Sequence, residues 1–266
     1  MVTLFHVVGK PLDWIGPPHT EQLRSDLEGE AFSDVAGRLQ MIRTQMLHDF
    51  RPELWNPART RYVVETGDVS TALLRCIESL NPDLVMIPTH GHGGFRRFLT
   101  GSVTNRLLHD VKGPVWTDAH VEEFRPGVRD VCDHVYCAVD LVDDDHDLQL
   151  IRWAVDYSKI WNTGPVKLLH AVHGAIHVPG QPDEPFAGSL MQWARENLEN
   201  LQKQARTNFP MIIEAETPGR LIMKSVEEPK SSVVVIGRGH HDGLFGRLGS
   251  QAYSIIRSSP CPVISI

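Results

Sequence analysis

Thr89-His-Gly-His-Gly-Gly-Phe-Arg-Arg-Phe-Leu-Thr-Gly-Ser-Val103 returns, in worn form, as Gly237-Arg-Gly-His-His-Asp-Gly-Leu-Phe-Gly-Arg-Leu-Gly-Ser-Gln251. Each copy follows an apolar run, Asp83-Leu-Val-Met-Ile87 in one case and Val233-Val-Val-Ile236 in the other. Each leads into a segment of helical spacing that stops at a Pro-Val strand, Gly113-Pro-Val-Trp116 and Cys261-Pro-Val-Ile264. The chain is therefore a duplication, with a glycine-rich loop joining a buried strand to a helix in both copies. At such a bend an α/β sheet turns several backbone N–H groups toward one point, which suits a phosphate.

Outward from the second copy, the pattern alternates. Val135-Tyr-Cys-Ala-Val-Asp140 reads as a buried strand ending in a carboxylate, and Leu148, Ile151, Trp153, Ala154 and Tyr157 mark a helix. Val166–Val172 is a second strand. A Gly/Pro-rich loop over 174–188 precedes a helix from about Ser189 to Asn208. Ile212–Glu216 is a third strand, Pro218-Gly219 opens a helix to about Glu228, and Val233–Gly237 and Cys261–Ile266 complete the set. Strands alternating with helices predict parallel βαβ units with helices on both faces.

The first half follows the same order with one element missing. Val2–Val8 corresponds to Val166–Val172, His6 standing where His170 stands. Gly67 is matched with Gly219, Gly101 with Gly249 and Pro114 with Pro262. Nothing corresponds to the strand and helix between Val135 and Trp161. Two domains are expected, 1–120 and 134–266, joined by a charged linker at 121–133 that holds Pro126-Gly127. About 130 residues suffice for each to fold without staples.

A net charge of −7 and a pI near 6.0 argue against nucleic acid, which demands a concentrated basic face. No apolar run is long enough to span a membrane, and Met1–Val8 lacks the features of a signal peptide. The four cysteines, at 76, 132, 137 and 261, form no C-x-x-C pair, the usage of a reducing compartment. A cytoplasmic protein is expected.

Loop, order and duplication together resemble the universal stress protein family in its tandem two-domain form, over nearly the whole chain. The family's signature is Gly-x2-Gly-x9-Gly-Ser/Thr. Gly91-x9-Gly101-Ser102 and Gly239-x9-Gly249-Ser250 both fit its second part. Pro88 stands in place of the leading glycine in the first copy, and Gly237 lies one residue too close in the second. The resemblance implies two flavodoxin-like (adenine nucleotide alpha hydrolase-like) open parallel sheets, the first truncated, each in strand order 3-2-1-4-5. A first domain without its central strand would leave two strand edges facing nothing, at about 1–3 kcal/mol per buried orphan group. The expectation is that the missing strand and helix are encoded ahead of Met1 or were cut away, unless another segment or chain fills the slot.

The resemblance also implies a ligand, ATP, together with Mg²⁺. Carried over by motif, the first half would use Val7, Gly91, Gly101, Ser102 and Val103, and the second Asp140, Ala171, Gly239, Gly249 and Ser250. Each set is compromised: the first lacks the carboxylate-bearing strand, and the second carries bulky Arg238, His240 and His241 in a shortened loop. Glycine permits φ > 0 and close approach, and a serine at a helix start can cap it or touch phosphate. The bland reading stays open, with glycines that only turn the chain, serines that only cap, and Asp140 as a strand-end residue. The expected function is a stress-response nucleotide-binding or sensor protein. A scaffold acting through protein contacts is the alternative, and slow ATP hydrolysis a third option. The halves are expected to pair as an intramolecular dimer through Val115-Trp116 and Val263–Ile266, with a further homodimer in view.

The remaining features yield less. Fourteen histidines invite a metal reading, but loop histidines without a distant Cys or carboxylate partner do not converge tetrahedrally, and no metal is assigned. His6 and His170 are expected to be satisfied near-core histidines, and Arg96, Arg97, Arg238 and Arg247 exposed loop cations that at most screen phosphate. The chain lacks a Rossmann fingerprint, a Walker A lysine loop and a nucleophile elbow. No catalytic trio is evident, so no enzyme is expected.

Overall fold

The computed structural model describes residues 1–8, 59–88, 102–118, 132–172, 187–238 and 250–266. Contacts divide the chain into two compact units, Met1–Asn81 and Pro82–Ile266. The linker expected at 121–133 lies, up to Val131, outside the described residues.

In the first unit, β1 (Val2–Val8) and β2 (Thr60–Thr66) pair in parallel from Val2↔Thr60 to Val8↔Thr66. Helix α1 (Val69–Leu80) packs on them. Asp68 caps it by accepting from the Thr71 N–H at 2.9 Å, satisfying one of the orphan donors of a helix start. Asn81 closes it in the left-handed conformation at φ 41°. Gly67 enters the turn before the cap at φ 139°, a backbone that L side chains rarely adopt.

The second unit holds β3 (Val85–Pro88), α2 (Ser102–Asp110), β4 (Val115–Asp118), β5 (His134–Ala138), α3 (Asp144–Trp161) and β6 (Val166–Ala171). It continues with α4 (Ala187–Ala205), β7 (Met211–Glu214), α5 (Pro218–Ser225), β8 (Ser232–Ile236), α6 (Ser250–Ser258) and β9 (Val263–Ser265). Its seven strands run in the order β3-β4-β9-β8-β5-β6-β7. All neighbours are parallel except β4 and β9, which are antiparallel. The complete repeat thus has β5, its first strand, in the middle. The α/β fold expected from the sequence is the fold observed.

Burial follows from that order. β5 and β8 are covered on both faces and read as continuous apolar runs, as parallel central strands do. Val135 and Cys137 share a core cluster with Leu150, Ile151 and Ala154 of α3 and Leu198 of α4. Tyr136, between them in the pleat, points to the other face, where its hydroxyl accepts the Glu227 N–H at 3.4 Å. α5 and α6 pack against each other.

The β4–β9 ladder is where Val115-Trp116 meets Val263–Ile266, with Val115↔Ser265, Trp116↔Ile264 and Thr117↔Val263. Hydroxyls reinforce it: Thr117 donates to the Val263 carbonyl at 3.2 Å and Ser265 to that of Val115 at 3.4 Å. Because of this ladder, two strands from the chain's first half belong to the sheet of its second.

Two expectations are corrected. With His6 matched to His170, Leu4 pairs with Tyr62 as Leu168 pairs with Met211, which aligns Asp68 with Thr217, the caps of α1 and α5. Gly67 therefore precedes its cap while Gly219 lies inside its helix, so the two are not equivalent. His6 is exposed, whereas His170 is buried and its Nδ1 sits 3.0 Å from the Val139 carbonyl. Only His170 is a satisfied core histidine. Val139 directly follows β5, and among the described residues β1 pairs only with β2.

Candidate functional site

A cavity of about 440 Å³ opens where β5, β6 and β8 end, the crevice that an open parallel sheet offers to ligands. Its floor is apolar, from Leu150, Leu169, Leu221, Ile236 and Ile255, and its polar rim includes Asp140, His146 and His170.

The chain turns sharply after β5. The Asp140 carboxylate accepts the Val142 N–H at 3.0 Å, Leu141 lies at φ 60°, and Asp143 caps α3 by accepting from Asp145 and His146 at 3.0 and 3.2 Å. Asp140 is thus a turn residue and also an exposed carboxylate lining the cavity. Behind it Asp147 is almost fully buried and accepts the Leu141 N–H at 2.9 Å. Burial, then the charge of Asp140, pushes its carboxyl up to about 7. Burial also lowers the pKa of His170, so its ring is neutral at neutral pH, with the Val139 carbonyl pulling weakly the other way.

At the end of β8 the backbone of Gly237 lies close against the imidazole of His146. A Cβ on Gly237 would overlap Nε2 of His146, because the first turn of α3 lies directly against this backbone. Arg238, expected as an exposed loop cation, is instead 4% exposed. Its guanidinium donates to the carbonyls of Leu108, Val111 and Gly113, around the C-terminal end of α2, and to that of Ser265 at 3.1 Å. A cation there meets the negative end of a helix. Arg238 is also among the residues that line the cavity.

The other expected site residues are distributed as follows. Ala171 lines the cavity beside His170. Ser250 opens α6, and Ser102 opens α2 with Val103 half-buried in its first turn. Val7 is half-buried near the end of β1, in the unit that ends at Asn81. Gly91, Gly101, Gly239 and Gly249 lie outside the described residues, as do His90, His92, His240 and His241. Sequence reasoning missed Asp147, His146 and the apolar contribution of α5. The run Asp143-Asp-Asp-His-Asp147 was the available signal: a cap, followed one turn later by an inward-facing acid.

Among the described residues no group of three or more metal-ligating side chains gathers, and no helix is long and apolar enough to cross a membrane. Burial pushes the Cys132 thiol up to about 11 and that of Cys261 up to about 12, away from thiolate chemistry at neutral pH.

The family model described as the Universal stress protein family matches residues 19–117 and again 132–266. Among solved structures, a universal stress protein from Archaeoglobus fulgidus DSM 4304 is 20% identical, with 100% of this chain and 85% of that one covered and a TM-score of 0.56. A putative universal stress protein from Pseudomonas aeruginosa UCBPP-PA14 is 15% identical, with 99% and 92% covered and a TM-score of 0.60. At such identities the likeness is one of fold. Among curated proteins none matches.

Proposed function

The chain belongs to the universal stress protein family, and from that premise we propose that the cavity at the ends of β5, β6 and β8 binds the adenosine end of ATP. The observation that carries this reading is the cavity itself: an apolar floor of about 440 Å³ with a carboxylate, Asp140, at its rim. An aromatic base gains from the floor, and a carboxylate accepts hydrogen bonds from ribose hydroxyls. The residues fit that portion of the ligand. The phosphates and their Mg²⁺ would fall to the motif residues Gly239 and Gly249, which lie outside the described residues, and to Ser250 at the start of α6, a helix end that favours anions.

Titration calorimetry on the full chain with ATP and Mg²⁺ is the test. Binding is expected, weakened roughly tenfold or more by Asp140→Ala through the lost ribose contacts. Absence of binding by the unaltered chain would overturn the reading. In that case a scaffold acting through protein contacts is favoured, for a reason visible at the site. Arg238 lines the cavity, but its guanidinium is already engaged by four backbone carbonyls, so Asp140, Asp143 and Asp147 would face a polyanion with that cation committed elsewhere. We assign the protein no strong turnover. A phosphate-release assay comparing the chain with Gly101→Val checks this, since loop-dependent release would reveal an ATPase.

A further inference from the structure

Two carboxyls grip the turn that follows β5. The Asp140 carboxylate accepts the Val142 N–H at 3.0 Å, and the Asp147 carboxyl, in the first turn of α3, accepts the Leu141 N–H at 2.9 Å. Between them Leu141 sits at φ 60°, a left-handed backbone that a leucine keeps only where its surroundings hold it. Both carboxyls line the cavity, but Asp140 is exposed to water while Asp147 is 1% exposed. Asp140 is placed to meet a ligand, and Asp147 to fix the turn on which Asp140 stands.

The groups around Asp147 are mostly of one sign. Asp140 follows β5, Asp143 caps α3, and Asp144 and Asp145 open it. From β5 comes Cys137, a thiol that burial keeps protonated, and from β6 comes His170, held neutral by burial. His146 lines the same cavity, as does Arg238 with its guanidinium on four carbonyls. On α4 the charged Arg195, Glu196, Glu199 and Lys203 are exposed, and on α5 Arg220 and Lys224 pair with Glu216.

We propose, resting on the nucleotide reading of this cavity, that Asp147 is a proton-operated positioning residue: the nucleotide binds when Asp147 is a neutral acid, and its entry draws a proton from water onto an ionised Asp147. A ribose over Asp140 strips water from the rim and the phosphates add negative charge, and both disfavour an ionised Asp147. The neutral acid still accepts the Leu141 N–H through its carbonyl oxygen, so the turn survives the loss of charge. The bound state then holds more protons than the free one. Affinity is therefore full below the free-state value of about 7 and falls as pH rises through it.

Titration calorimetry with ATP and excess Mg²⁺, in buffers of different protonation heat, tests this on the full chain and on Asp147→Asn. The unaltered chain is expected to bind roughly fivefold or more weakly at pH 8 than at pH 6, and to take up about half a proton near pH 7.5. Asparagine keeps an acceptor for Leu141 but cannot titrate, so the variant is expected to change less than ~twofold over that range. Flat binding by the unaltered chain without proton uptake would overturn the proposal and needs no variant. A slope that persists in Asp147→Asn would also overturn it, by moving the titration to His146 or His170, while the nucleotide reading stood. Absence of ATP binding at either pH would overturn that reading and this proposal with it.

Discussion

His170 and His6 hold the same position in their repeats and meet opposite fates. One is buried against the Val139 carbonyl, and the other stands in water. Val235 and Met86 repeat the lesson in the other unit's sheet. Apolar strand residues do not bury themselves; a neighbouring strand and its helix do it for them. Around Val235 that neighbour is β5, with Ile151 and Ala154 of α3 in the same core cluster.

The largest effect is expected at Arg238, on the sealed half. Arg238→Met would leave the carbonyls of Leu108, Val111, Gly113 and Ser265 without their donor, at a cost of about 4 kcal/mol in urea unfolding. A cost below ~1 kcal/mol would mean that water replaces the guanidinium, and the clamp would not hold α2 to the sheet.

Next comes a pH slope confined to the same half. Asp147 has a folded pKa near 7, above its unfolded value, so the folded state holds the extra proton. Stability is therefore greatest below about pH 4 as far as this group is concerned, and falls by roughly 2–4 kcal/mol as pH rises through 7. Asp147→Asn should flatten that slope and raise the urea midpoint at pH 8. His170 works in the opposite sense. Its folded pKa is lowered, so its contribution is lost as pH falls below the ordinary histidine value of about 6.5.

Smaller effects compare equivalent positions directly. Val235→Ala should cost about 2 kcal/mol, because it removes buried methyl groups from a filled core, whereas Met86→Ala should stay within ~0.5 kcal/mol. His170→Ala should cost about 1 kcal/mol and His6→Ala close to nothing. Equal costs at either pair would break the comparison, and with it the view that β5 and α3 make the difference.

Much of this was legible in the chain. The duplication, the alternation of strand and helix and the meeting of Val115-Trp116 with Val263–Ile266 all follow from local pattern, while the antiparallel sense of that meeting came only with the structure. Arg238 was not legible. The carbonyls of Leu108, Val111 and Gly113 lie 130, 127 and 125 residues upstream, and no local window connects them to a loop arginine. Gly237 was legible as a glycine but not for its reason, since its crowding comes from a histidine on α3. His6 was misjudged because matching it to His170 by letter carried over a burial that depends on the Val139 carbonyl beside His170. The pairing of Gly67 with Gly219 failed because matching residue letters outweighed matching caps.

The β4–β9 ladder turns about the point where Trp116 faces Ile264, with Val115 opposite Ser265 on one side and Thr117 opposite Val263 on the other. Separate identical subunits joined along a symmetry axis would have to place the same side chain on both sides of that point, so any substitution there would strike twice. One continuous polypeptide is free of that rule. A tryptophan can lean on an isoleucine, each side can drift without asking leave of the other, and dilution cannot part them.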